Sequence, residues 1–96
     1  MAYKIRWSPQ AVSSFEDICN YISKDSPYYA ALFAEKIISI IKSIPHFPKS
    51  GRMVPEYGND NLREKIYKNY RIVYRIQDKY IEIVAICLAY RPIGDI

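Results

Sequence analysis

The sequence predicts an α+β domain in the order β-α-α-β-β-β, with a helix hairpin packed on one face of an antiparallel sheet. Residues 62–91 are dense in β-branched and aromatic side chains and are broken by short polar stretches, as strands joined by tight hairpins would be. The pairs Ser8-Pro9 and Ser26-Pro27 each precede apolar residues at helical spacing. A short alternating segment, Tyr3-Lys4-Ile5-Arg6-Trp7, stands before both. With 96 residues the chain can bury one core, so residues 1–96 are expected to form a single domain.

The alternating segment reads as a strand, stopped by Ser8-Pro9. Serine caps a helix amino terminus, and proline at the first helical position gives up an N–H that had no partner there. Ala11, Phe15, Ile18, Cys19 and Ile22 then form one stripe, with Asp17 off it. Ser26-Pro27 repeats the start signal, and Ala30, Phe33, Ala34, Ile37, Ile38, Ile41 and Ile44 mark the core positions of a second amphipathic helix. The short connection implies an antiparallel helix pair. Pro45 ends the second helix by disfavouring helical backbone at Ile44. Residues 45–61 form a proline-restricted connector, which is expected to be an ordered loop across the surface.

Lys68-Asn69 and Gln77-Asp78-Lys79 are the expected turns of the ladder, Asn being tolerant of the positive φ that twisted hairpins need. Tyr70, Ile72, Tyr74 and Ile76 share one parity and Arg71, Val73 and Arg75 the other, so one sheet face is apolar and the other carries guanidinium groups. In the last strand Ile81, Ile83, Ala85 and Cys87 read as core-facing. Glu82, Val84, Ile86 and Leu88 read as outward. An outward patch of Val73, Val84, Ile86 and Leu88 calls for a cover, which makes these four the expected contact for a protein partner. The alternative is that the parity slips at a β-bulge and these residues are buried.

The formal charge of +4 and the pI near 9.1 favour an acidic partner without naming one. No apolar run approaches the ~20 residues of a membrane span, and the amino-terminal residues show no signal-peptide centre, so the expected location is the cytoplasm. Cys19 and Cys87 sit in apolar patterns and read as reduced core residues. With His46 alone in the connector, neither a metal nor a cofactor is expected, and no general acid–base pair stands out.

Several fragments, in order, resemble the RelE/ParE superfamily of toxins from type II toxin–antitoxin modules. They are Ala11, Asp17, Ile18 and Tyr21-Ile22; Ile44-Pro45; Gly51-Arg52; Val54-Pro55-Glu56; Leu62-Arg63-Glu64; the run from Tyr70 to Arg75; and Arg91. The Gly-Arg, Pro-Glu and Leu-Arg-Glu pieces look more like the ParE branch. That branch implies a non-enzymatic inhibitor of DNA gyrase, neutralised by a cognate antitoxin, with Arg63, Arg71, Arg75 and Arg91 as target-binding residues. The RelE branch implies instead a ribosome-dependent endoribonuclease acting on mRNA. Its two arginines match Arg71 and Arg91, which are expected on the open sheet face, Arg91 only if the strand ends or twists before it. Tyr90 would stand in for the catalytic phenol, and Leu88 occupies a position where many members carry histidine. Arginine steadies charge but is a poor base, so the missing acid–base partner favours the binding protein. A purely structural role would pair the arginines with Glu64 and Glu82.

Overall fold

In the computed structural model, which describes residues 3–93, the alternating segment forms β1 (Lys4–Trp7) and the two Ser-Pro signals open α1 (Pro9–Asp25) and α2 (Pro27–Ser43). Ser8 Oγ accepts a hydrogen bond from the Ala11 N–H at 3.0 Å, and Ser26 Oγ accepts one from the Tyr29 N–H at 3.1 Å. Both helices therefore start where serine satisfies an otherwise unpaired amide. Short 3-10 turns at Ile44–His46 and Pro48–Ser50 follow, then β2 (Arg52–Met53), β3 (Leu62–Tyr67), β4 (Tyr70–Ile76) and β5 (Tyr80–Leu88). The ladder hairpins fall at the expected turns, but Lys68 takes the positive φ, at 53°, that was expected of Asn69.

The sheet order is β1-β5-β4-β3-β2. β3, β4 and β5 form the expected antiparallel ladder, whereas β1 lies parallel to β5, with Ile5 opposite Ile81 and Trp7 opposite Ile83. The sheet is thus mixed, not wholly antiparallel. Parallel neighbours need a long crossover, and everything between β1 and β5 supplies it. The connector, expected as a loop throughout, adds the two-residue β2.

The last two strands are out of step by one residue. Val73 opposes Ala85 while Tyr74 opposes Ile83, leaving Val84 as the extra residue of a bulge. Ser8 stabilises this site: its N–H donates to the Ile83 carbonyl and its Oγ to the Val84 carbonyl, both at 2.9 Å. The cap of α1 and the bulge are one hydrogen-bonded unit.

The bulge divides the apolar residues between two cores. On the helix side, Ala11, Phe33, Ile37, Ile41 and Ile44 pack with Ile72, Tyr74, Ile81, Ile83 and Ile86. Phe15, Ile18, Cys19 and Ile22 of α1 lie partly buried against them, and Ile40 takes a packing place that Ala34 and Ile38, half-buried at the edge of the α2 stripe, do not. On the other face Val54, Leu62, Val73, Val84, Ala85 and Ile93 form a second buried cluster. The parity expected of β5 therefore holds only up to Ile83. Ala85 and Cys87 leave the helix side, Ile86 joins it, and Leu88 lies opposite Tyr70 of the helix side.

Tyr74 fixes the connector to the sheet. Its hydroxyl donates to the Pro48 carbonyl at 2.5 Å and accepts from the Gly51 N–H at 3.0 Å. Gly51 has no room for a side chain, since a Cβ there would lie 2.6 Å from the Glu64 carbonyl oxygen and 2.7 Å from the Tyr74 hydroxyl. Burial raises the Tyr74 pKa, keeping the phenol protonated as a donor.

Ile37 is fully buried at the centre of the helix-side core. Ile37→Ala is expected to cost about 2–5 kcal/mol by loss of transfer energy and cavity formation. Urea unfolding checks it, and a loss below about 0.5 kcal/mol would contradict the packing described.

Candidate functional site

β4 presents Arg71, Val73 and Arg75 to the sheet face away from the helices, and β3 presents Leu62, Glu64 and Ile66 beside them. Because the hairpin turns at Lys68-Asn69, Ile66 stands opposite Arg71 and Glu64 is its diagonal neighbour. A tight turn at 54–58, in which the Tyr57 and Gly58 N–H groups donate to the Val54 carbonyl at 3.1 and 3.0 Å, carries Glu56 to the same place. β5 ends at Leu88, and the Arg91 N–H donates to the Leu88 carbonyl at 3.1 Å, so the chain folds back over the open face.

These segments meet at one guanidinium. Arg71 is only 3% exposed. Its Nη1 donates to Glu64 Oε1 at 3.1 Å and to Glu56 Oε1 at 3.2 Å, and its Nη2 donates to Glu56 Oε2 at 2.7 Å and to the Arg91 carbonyl. Glu64, itself buried, also accepts from Arg52 Nε at 2.6 Å. Arg71 Nε is buried with no hydrogen-bond partner among the described residues. The Arg71 hydrogen bond holds the Glu56 carboxyl down to about 2, below its ordinary 4.5. The Glu56 bond in turn is the main cause of a raised Arg71 pKa. Two carboxylates thus balance two guanidinium groups in one network, desolvated at Arg71 and Glu64 and open to solvent at Arg52 and Glu56.

The other expected target-binding arginines are not gathered there. Arg63 stands opposite Tyr74, on the helix-side parity. It holds the connector through the Gly51 carbonyl at 2.8 Å, the Asp60 carbonyl at 2.9 Å and Asp60 Oδ1 at 2.6 Å. Arg75 pairs with Glu82 at 2.9 Å, farther along the open face. The structural pairings with Glu64 and Glu82 are therefore what Arg71 and Arg75 make. Past the end of β5 the Arg91 carbonyl meets Arg71 on the open face, and the residue is exposed. Of the nuclease candidates, Tyr90 is 77% exposed, Arg91 is exposed, and Arg71 has both terminal nitrogens committed to protein acceptors.

The apolar patch expected for a partner is not an open surface. Val73 and Val84 are buried beneath Val54, Leu62 and Ile93 of the same chain. Ile86 belongs to the helix-side core, and Leu88 is half-buried on the Tyr70 side, because the bulge moves both off the Val73 face. Glu56 and Arg52 were not singled out as site residues. The Lys68-Asn69 turn, which fixes the β3–β4 register, was the sequence signal that could have paired Glu64 with Arg71. Nothing local in the connector places Glu56. Among the described residues, no cluster of three or more His, Cys, Asp or Glu side chains could hold a metal ion, and no helix is long and apolar enough to cross a membrane.

Removing one partner from a buried ion pair strands the other charge. Arg71→Met is expected to lower unfolding stability by about 3–5 kcal/mol for that reason. Arg75→Ala, which breaks a pair with both side chains about a third exposed, should cost about 1 kcal/mol or less in the same urea titration. A second expectation concerns acid. Glu56 has a folded pKa depressed to about 2 from 4.5, so its contribution is full above 4.5 and is lost as pH falls through 2. Stability should therefore decline across that window, and Glu56→Gln should flatten the decline; equal slopes in the two proteins would overturn the pairing.

Comparison with known proteins places this arrangement. No curated protein matches the chain. Among solved structures, the chromosomal ParDE toxin–antitoxin system from P. aeruginosa is similar with a TM-score of 0.74 and 18% identity, over 91% of this chain and 96% of that one. The RelBE2 toxin–antitoxin complex from Mycobacterium tuberculosis follows at 0.65 and 15% identity, over 92% and 99%. The YoeB dimer from Staphylococcus aureus gives 0.61 and 20% identity, over 95% and 100%. At such identities the likeness is one of fold. The family model for the ParE toxin of the type II toxin-antitoxin system parDE matches residues 5–87. The chain, folded as a bulged five-stranded sheet under a helix hairpin, belongs to the ParE toxin family of type II toxin–antitoxin systems.

Proposed function

We propose that this toxin acts by binding, as an inhibitor of DNA gyrase, and that a cognate antitoxin neutralises it. The observation that carries the reading is the commitment of Arg71 to Glu56 and Glu64. A guanidinium that is to steady a phosphate in a transition state must be available to it. Here both terminal nitrogens are held by carboxylates and a carbonyl, and releasing them would leave Glu64 buried without that partner. Inhibition by binding needs only a surface. Arg91, exposed beside this network, is the arginine of the expected set most available to a target, whereas Arg63, Arg71 and Arg75 organise the chain that presents it. The net positive charge favours encounter with an acidic antitoxin segment. An antitoxin that uses Val73 and Val84 must first displace Val54 and Ile93.

Purified protein is expected to inhibit gyrase supercoiling and to leave ribosome-bound mRNA intact. Arg91→Ala should weaken inhibition about fivefold or more while leaving the urea midpoint unchanged, as truncation of an exposed interface arginine does. Cleavage of mRNA with normal supercoiling would replace this reading by the ribosome-dependent nuclease.

A further inference from the structure

Cys87 stands directly opposite Arg71 across the β4–β5 pairing, on the face away from the helices. The bulge is what puts it there. The thiol is half-buried, and the guanidinium beside it is almost wholly buried. Three of the bonds that hold this guanidinium to carboxylates run through Nη1, Nη2 and two glutamates, yet its Nε finds no acceptor among the described residues. A buried, charged N–H donor without an acceptor is costly, which makes its surroundings a place prepared for an anion. Contact with Cys87 is also among the causes that raise the Arg71 pKa, after the Glu56 hydrogen bond and alongside the Glu64 bond.

We infer that Cys87 is an oxidative modification site, at which a hydroperoxide converts the thiol to a sulfenate accepted by Arg71 Nε. The step balances simply. The Cys87 thiolate attacks one peroxide oxygen, an S–O bond forms and the O–O bond breaks. Sulfur is oxidised by two electrons, and the departing oxygen leaves as hydroxide or alkoxide and takes up a proton. The sulfenic acid then loses its own proton and presents an anionic oxygen to the unused donor. Both thiols are half-buried, and what sets Cys87 apart is the guanidinium beside it. Cys19 faces the helix-side core, where burial raises its pKa and disfavours the thiolate. The two thiols of one chain therefore form an internal comparison. Oxidation also bears on the site already described. A sulfenate on Nε adds a negative charge beside the Glu56 and Glu64 carboxylates, and the repulsion loosens the hold on the 54–58 turn.

The test exposes the full-length folded protein to hydrogen peroxide in the presence of a cyclohexane-1,3-dione probe, which traps sulfenic acid. Labelling is read at each cysteine by peptide mass spectrometry. Cys87 should label about tenfold or more faster than Cys19 in the folded chain, with the two rates converging in urea. Equal rates in the folded protein would overturn the inference. Arg71→Lys keeps a positive charge but has no Nε donor, and in a folded sample it should cut Cys87 labelling about threefold or more. Labelling unchanged in folded Arg71→Lys would overturn the role given to Nε. Should that variant not fold, the rate ratio in the wild-type chain and its collapse in urea decide the matter.

Discussion

A guanidinium withdrawn from water is the constraint on which the face opposite the helices depends. Arg71 would be untenable at its depth unless its charge were matched, since burying an isolated charge costs far more than a domain's margin of stability. The matching groups come from β3, from the turn at 54–58 and from the chain beyond β5, as Glu64, Glu56 and the Arg91 carbonyl. Neither the 54–58 turn nor the chain beyond β5 has a regular element of its own to hold it on that face. The ion pair therefore performs the task that α1 and α2 perform on the opposite side. It also narrows the chemistry open to the molecule, because a cation that is holding three segments together is not free to hold a phosphate.

Much of the architecture was legible because it rests on local rules. Ser8-Pro9 and Ser26-Pro27 cap helices for reasons contained within a single turn, and the parity of residues 70–76 follows from the pleat. What was not legible depends on partners distant in sequence. The bulge at Val84 answers to a hydroxyl at Ser8, whose distance along the chain no periodicity can reveal. Its consequence spreads down the strand: Ile86 turns into the helix-side core and Cys87 turns toward Arg71. Of the apolar patch read from Val73, Val84, Ile86 and Leu88, the bulge moves Ile86 and Leu88 off the face, while Val54 and Ile93 cover Val73 and Val84; the alternative of a slipped parity describes the strand.

The arginines show the same division. Counting them along the ladder suggested one cationic face, but pairing separates them. Arg63 belongs to the opposite parity and grips the connector, where the Lys49 and Arg63 hydrogen bonds together lower the pKa of Asp60. Arg75 and Glu82 stand a few residues from Arg71 in a much wetter place. Equal side chains thus differ in role according to depth and partner, and of the set only Arg91 is exposed.

The second core has a lopsided construction. Beneath it lies a continuous sheet, but above it Val54 and Ile93 come from irregular segments, and β2 contributes only two residues of pairing to hold the connector in line. A cover with so little regular pairing is expected to open before the helices unravel. Amides of the central strands and of α2 should exchange with solvent deuterium only through global unfolding, whereas those at 54–58 should exchange through local opening at a much smaller free-energy difference. Each such opening would briefly bare Val73 and Val84, giving the sheet a transient apolar face that the resting structure keeps closed.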